Sequence, residues 1–269
     1  MKSQWRKRWR SGTECDFADF REGHFYGFAV TQRNAAETVA SYIVGVFDRP
    51  VCEVVDDHRD PYSMTDRSNG YEGAAAEFLA GRGSARTRSK GIGVKPVREW
   101  ARTLPRGAAV IDLGCGAGFP ITDVLVTEGL NVYAIDASPS FIEAFRRNLP
   151  GLPVACEAVE DSTFFNRTFD AVIAWGLIFL LPTEEQRRLI QRVADILVPG
   201  GRLLFTSEDK PLVWNDAMTG LESRSLGAVE YRNQLAAAGL SVIREYEDEG
   251  ENHYFDALKT ADSTRVIEA

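Results

Sequence analysis

The sequence predicts an α/β fold: a doubly wound, mostly parallel seven-stranded sheet with its last strand antiparallel and helices on both faces. Three observations carry this expectation. Residues 110–120 read V-I-D-L-G-C-G-A-G-F-P, an apolar run that breaks into three alternating glycines and a proline. Apolar segments then alternate with amphipathic ones at the spacing of repeated βαβ units. The last two strand-like segments, 241–246 and 254–258, are close enough to form a hairpin, so one of them must run against the others.

Taken in order, residues 1–63 differ in texture from the rest and are expected to be an appendage, leaving 64–269 as the sheet-bearing domain. Within the appendage, Asn34 and Glu37 have capping-box spacing, and Val39, Tyr42, Ile43, Val46 and Phe47 follow at helical intervals. From Met64 the text M-T-D-R-S-N-G-Y-E reads like a natural N-terminus. The appendage is therefore either an over-long start or an authentic arm. Residues 71–79 predict an amphipathic helix, 81–93 a basic glycine-rich loop, and 94–104 the helix that leads into the first strand.

Ala108, Ala109, Val110, Ile111 and Leu113 form the kind of short apolar run that fills a buried parallel strand. Alternating Gly114, Gly116 and Gly118 let the backbone turn sharply and approach a ligand without a Cβ in the way. Pro120 suits the first turn of the helix 119–128, and Gly129 stops it. This strand, loop and helix start are expected to present free backbone N–H groups to something bound there. Strands follow at 131–135, 154–156, 171–175 and 202–207. Ser138-Pro139 opens a helix that ends near Pro150-Gly151. Thr183 with Gln186 has capping-box spacing, and Leu189, Ile190, Val193, Ile196 and Leu197 share one face of the helix it opens. Pro199-Gly200-Gly201 turns into the fifth strand, and 228–239 is the last helix.

Composition narrows the function. The chain has 269 residues, 44% of them hydrophobic, which is enough for a sizeable core. Its net charge of −8 argues against a nucleic-acid partner, since phosphate attraction dominates that binding. Cys15, Cys52, Cys115 and Cys156 have neither CxxC nor metal-ligand spacing and suit a reducing compartment. The longest apolar run, 171–181, is too short to span a bilayer, and the basic start lacks the apolar centre of a signal peptide. A cytoplasmic protein is expected, with no membrane partner and no metal.

The glycine loop excludes two common readings. A dinucleotide fingerprint needs G-x-G-x-x-G, but Phe119 stands at the sixth position. A P-loop needs Gly-Lys-Ser/Thr, which is absent. The pattern D-x-G-x-G-x-G instead resembles motif I of the class I S-adenosylmethionine-dependent methyltransferases. The resemblance continues through Ala134-Ile135-Asp136-Ala137-Ser138, F-D-A-V-I-A at 169–174 and V-P-G-G-R-L-L-F at 198–205, covering roughly residues 70 to 260. It implies a Rossmann-like domain that uses S-adenosyl-L-methionine.

The resemblance also assigns expected roles. Asp112, Gly114, Cys115, Gly116 and Gly118 would hold the amino-acid part of the cofactor. Asp136, with Ala137 beside it, would accept the ribose hydroxyls, as an ionised carboxylate with two oxygens can. Val159, Glu160 and Asp161 align best with the adenine-reading loop, with Glu157 as the alternative. Tyr71 would pack over the cofactor or serve as ordinary core, and Trp175 and Phe179 would line the cofactor or substrate cavity. Many family members carry a histidine within the segment after strand four; here it reads W-G-L-I-F-L-L-P, with none.

The histidine nearest the expected site is His253, at the start of the reversed last strand. That places His253, Asn252 and Tyr254 on the edge where the other strands end. His253 is accordingly the candidate base or substrate-orienting group, against a structural role, and Asn252 and Tyr254 are candidate substrate contacts. Three functions stand: a methyltransferase for a small molecule, which the acidic single domain favours; one for RNA or protein, which the basic loop would serve; and a non-catalytic cofactor-binding protein.

Overall fold

The computed structural model describes residues 66–82 and 91–260. The expected appendage 1–63, its helix at 34–47, the boundary at Met64 and most of the basic loop lie outside the described residues. The helices are α1 (Tyr71–Arg82), α2 (Val94–Ala101), α3 (Ile121–Thr127), α4 (Pro139–Asn148), α5 (Thr183–Ile196) and α6 (Ala228–Ala237). The strands are β1 (Ala109–Leu113), β2 (Asn131–Asp136), β3 (Val154–Cys156), β4 (Phe169–Ala174) and β5 (Leu197–Ser207). They continue with β6 (Pro211–Asn215), β7 (Glu222–Leu226), β8 (Leu240–Glu247) and β9 (His253–Lys259).

Seven strands form one sheet in the order β3-β2-β1-β4-β5-β9-β8. β1 lies between β2 and β4 and is parallel to both, with Asp112 opposite Ala134 on one side and Ile173 on the other. β9 is the reversed strand, antiparallel to β5 and β8, and His253 pairs with Ser207 and with Glu247. The sequence expectation of seven strands with the last antiparallel holds.

Strand parity divides the core. Ile111, Leu113, Val172, Leu203, Phe205, Phe255 and Ala257 pack with α5 and α6 on one face. Val110, Val132, Ala171, Ile173, Leu204 and Tyr254 pack with α2 and α3 on the other. Both faces are dry, which is why the central strands read as nearly continuous apolar runs. Among the described residues no helix is long and apolar enough to cross a membrane.

Local expectations fared unevenly. Ser138 caps α4 as its sequence suggested, its side chain accepting from Phe141 N–H. The capping box at Thr183 and Gln186 does not form; α5 has no side-chain cap. Gln186 is instead fully buried, donating to the Leu181 and Arg224 carbonyls and accepting from the Tyr231 hydroxyl. Three partners, two of them distant in sequence, outweigh one local cap. The β6–β7 hairpin, antiparallel and separate from the main sheet, was not expected at all. The residues of β7 that turn inward are Ser223 and Ser225, so hydrophobic alternation carries no trace of it.

Candidate active site

One cavity opens at the carboxyl ends of the sheet. Its walls come from the glycine loop after β1, Asp136 and Ala137 at the end of β2, the loop after β3, and the segment after β4. Residues 67–78 and the β6–β7 hairpin close the remaining sides. This is where open α/β sheets bind ligands, because successive loops diverge there.

The glycine loop contributes space more than donors. A Cβ at Gly114 would sit 3.1 Å from Leu177, whereas one at Gly116 would meet only Phe78, at 3.9 Å, and would protrude into the cavity. The expectation of free loop N–H groups is corrected. Gly114 and Cys115 both donate to the Ile135 carbonyl, at 2.9 and 3.0 Å, and Gly116 donates to Asp136 Oδ2 at 2.9 Å. The end of β2 lies beneath the loop and satisfies it from within. Gly118 is also corrected: it is absent from the cavity wall, and its side-chain position faces Leu149 and Phe145. It lets the loop approach α4.

Two carboxylates lie at the floor, Asp112 buried and Asp136 half-buried. Asp136 Oδ1 accepts from Ser138 N–H and Oδ2 from Gly116 N–H, both at 2.9 Å, so the group is fixed while each oxygen keeps further acceptor capacity. Burial pushes its pKa up to about 6; the two N–H donors oppose that shift and the Glu72 charge adds to it. Asp112 accepts from the Thr122 hydroxyl at 2.6 Å. Its pKa is pushed up to about 7, chiefly by burial, with Asp136 adding and Thr122 opposing. Cys115 lines the cavity, and burial raises its thiol well above the usual range, so it is a neutral filler and no nucleophile at ordinary pH.

Sequence reasoning missed what holds the cover in place. Glu72 on α1 accepts from Ser138 Oγ at 2.5 Å and from Ser140 N and Oγ at 3.1 and 2.7 Å, docking α1 onto the start of α4. Burial disfavours its charge, but these donors win and its pKa is lowered. Phe78 and Phe141 pack with ring centroids 4.9 Å apart. Tyr71, on the cavity wall as expected, donates to Asp216 Oδ2 at 3.0 Å. Arg67 reaches Asp161 at 2.9 Å and Glu160 at 3.4 Å.

The loop after β3 is set from the opposite direction. Arg192 on α5 donates to the Val159 and Glu160 carbonyls, each at 2.7 Å, and to the Ser162 carbonyl. Its guanidinium also lies 4.6 Å from the centre of the Phe164 ring. Val159, Glu160 and Glu157 line the cavity, whereas Asp161 does not. A lone Arg on a helix gives no sequence signal for this role.

At the other end, Trp175, Phe179 and Asn252 line the cavity as expected, joined by Leu177, Leu180, Glu208 and Trp214. Asn252 Nδ2 donates to Asp248 Oδ1 at 2.9 Å. Tyr254 is corrected: it is fully buried beneath the wall, where its hydroxyl accepts from Trp175 Nε1 at 2.8 Å and donates to Asp248 Oδ2 at 2.7 Å. It supports Trp175 and touches no open space. His253 is corrected as well. Its backbone reaches the expected edge, but its side chain shares the face of Phe255 and Ala257, toward α6. Its Nε2 lies 3.2 Å from Glu245 Oε2, and it is not part of the wall.

A half-buried carboxylate at the end of β2, a side-chain-free crest over β1 and a covering α1 suit an elongated ligand with vicinal hydroxyls. This sheet order with this loop is the arrangement expected of a class I S-adenosylmethionine-dependent methyltransferase domain, and the comparisons point the same way. Residues 110–201 match the family described as a methyltransferase domain. The chain is 34% identical over 117 residues to an uncharacterized methyltransferase of Mycobacterium bovis, covering 41% of this chain and 45% of that protein. It is 35% identical over 109 residues to the aklanonic acid methyltransferase of a Streptomyces species, covering 38% and 48%. These matches span about half the length of the curated relatives. Among solved structures, the magnesium protoporphyrin IX methyltransferase of Synechocystis PCC 6803 superposes with a TM-score of 0.57 at 19% identity, covering 75% of this chain and 97% of that one.

Proposed function

We infer that this chain transfers a methyl group from S-adenosylmethionine to a small-molecule acceptor. The observation that carries the reading is Asp136, held by Ser138 and Gly116 at the cavity floor with acceptor capacity left on both oxygens. A ribose diol needs that pair of acceptors. Asp112 and the glycine crest would bound the amino-acid part, Val159 and Glu160 the adenine, and α1 the outer side. When bound, S-adenosylmethionine supplies an electrophilic methyl group, so the chain's own residues need mainly to orient the acceptor and exclude water.

Support for a small acceptor comes from the cavity and from relatives. The cover of α1 and the hairpin makes the site a chamber rather than an open face. The Streptomyces relative and the Synechocystis structure are named for small-molecule substrates. Isothermal titration with S-adenosylhomocysteine and with NAD tests the cofactor reading. Micromolar binding of the former with weak or no binding of NAD is expected, and the reverse would overturn it. Mass spectrometry of a metabolite panel incubated with the protein and methyl-labelled cofactor then tests transfer.

A further inference from the structure

Among the carboxylates of the cavity wall that the cofactor reading does not use, Glu208 stands apart. Glu208 follows directly after β5, half-buried, and lines the same cavity as the apolar and aromatic residues Leu177, Phe179, Leu180 and Trp214. Its backbone is pinned, because its carbonyl accepts from Ser225 Oγ at 2.7 Å and the next carbonyl, of Asp209, accepts from Ala228 N–H at 2.7 Å. The carboxylate is therefore presented from a fixed point.

The other non-exposed carboxylates of the wall have donors. Asp112 has Thr122, Asp136 has two backbone N–H groups, Glu157 has Ser162, Glu160 has Arg67, and Asp216 has Tyr71 with the turn that follows it. Among the described residues, no hydrogen bond or ion pair reaches the Glu208 carboxylate. The one basic residue on the described wall, Arg67, is engaged by Glu160 and Asp161. With His253 acting on it only at a distance, a half-buried carboxylate that has no hydrogen-bonded or ion-paired partner is costly, and a cation brought by a ligand would remove that cost. Two rings of the same cavity suit the same partner. Phe179 and Trp214 lie with centroids 5.5 Å apart and planes inclined by 47°, and an aromatic face attracts an ammonium.

We propose that the acceptor carries a basic amine on an apolar or aromatic body, and that Glu208 is the carboxylate that holds its ammonium group. The inference rests on the methyltransferase reading and names the acceptor class for the same site. Burial first, then the neighbouring Asp209 charge, raises the Glu208 pKa, while His253 opposes. That direction fits an acid still lacking its cation.

The experiment compares matched probes on the whole protein saturated with S-adenosylhomocysteine: tryptamine against tryptophol, and tyramine against tyrosol. Each pair differs only in amine against hydroxyl. Isothermal titration is expected to show the amines binding at least about tenfold more tightly than the alcohols, the size of a charge-assisted contact. In Glu208→Gln that preference should fall below about threefold, with S-adenosylhomocysteine affinity unchanged. Equal binding of amine and alcohol, no amine binding, or a preference that survives Glu208→Gln would overturn the proposal. The wild-type comparison decides on its own if the glutamine variant does not fold. Failure to bind S-adenosylhomocysteine would overturn the methyltransferase reading and this inference with it; its binding without an amine preference overturns this inference alone.

Discussion

The Tyr71 hydroxyl donates to Asp216 Oδ2 at 3.0 Å, joining the first described helix to the β6–β7 hairpin across the mouth of the cavity. The other oxygen of Asp216 is occupied by Met218 N–H and Thr219 N–H, both at 2.9 Å, which fix the turn after β6. The contact is thus made to an acid that is already held still. Tyr71→Phe keeps the ring that packs against Phe78 and Phe141 and removes only the donor. We expect S-adenosylhomocysteine affinity to fall by about three- to thirtyfold, consistent with the net worth of one hydrogen bond to a charged group. Thermal stability without ligand should change by a few degrees at most. Calorimetric titration of wild type and variant checks this, and unchanged affinity would make the link incidental to binding.

The buried acids set opposite pH trends for the free and bound protein. Asp136 and Asp112 rise from an ordinary 3.8 to about 6 and about 7, both mainly through burial. Each folded value lies above the unfolded one, so the native state holds the extra protons. This stabilisation is complete below the unfolded pKa and is lost as pH rises through the folded values, between about pH 4 and 7. Cofactor binding runs the other way, because only ionised Asp136 offers both oxygens as acceptors. Melting curves between about pH 5 and 8 should show the free protein losing stability while the shift caused by S-adenosylhomocysteine grows. Asp136→Asn should flatten the affinity profile and lower affinity by roughly ten- to a hundredfold at neutral pH.

Two loop glycines should separate fold from binding. Gly118 has φ +86°, and a Cβ there would lie 2.6 Å from Leu149 Cδ1 and 3.0 Å from the Phe145 ring. Gly118→Ala is expected to cost about 1–3 kcal/mol in urea unfolding, through backbone strain and overpacking together. Gly116 has φ +53°, but its added methyl would meet no protein atom closer than 3.9 Å and would occupy the cavity instead. Gly116→Ala should therefore be milder for stability and stronger against ligand, with more than tenfold weaker S-adenosylhomocysteine binding.

The legible parts of this molecule are those whose physics is local. Val110, Ile111 and Leu113 announce a buried strand because both of its faces are dry, and Asp136 is marked by ending the next strand. Glu72, Arg192 and Gln186 are silent in the sequence because their partners lie 30 or more residues away, at Ser138, Ser162 and Tyr231. No periodicity encodes such pairs. His253 is a different case. Placing the start of β9 at the catalytic edge is sound, but strand parity carries equal weight: His253 alternates with Tyr254 and keeps step with Phe255 and Ala257 only if it faces away from Trp175. Alternation along the strand alone is enough to send its imidazole toward α6.

The sheet and both of its dry faces pack from residues 92 onward. Removing residues 1–63 is therefore expected to leave a folded domain with S-adenosylhomocysteine affinity within about threefold of the full chain. Removing residues 1–82 is a different operation. It deletes Arg67, Tyr71 and Phe78 from the cavity wall, leaves Ser138 and Ser140 without Glu72, and exposes Phe141. The sheet should still form, since it takes nothing from α1 for its core, but the cover is gone. Affinity should fall by at least about a hundredfold, the combined effect of several lost contacts and of water reaching the floor carboxylates. Circular dichroism separates folding from binding in both truncations, and calorimetry reads the affinity. Loss of binding already on removing 1–63 would show that the domain boundary lies further toward the N-terminus; retained binding after removing 1–82 would show that α1 is no part of the cofactor site.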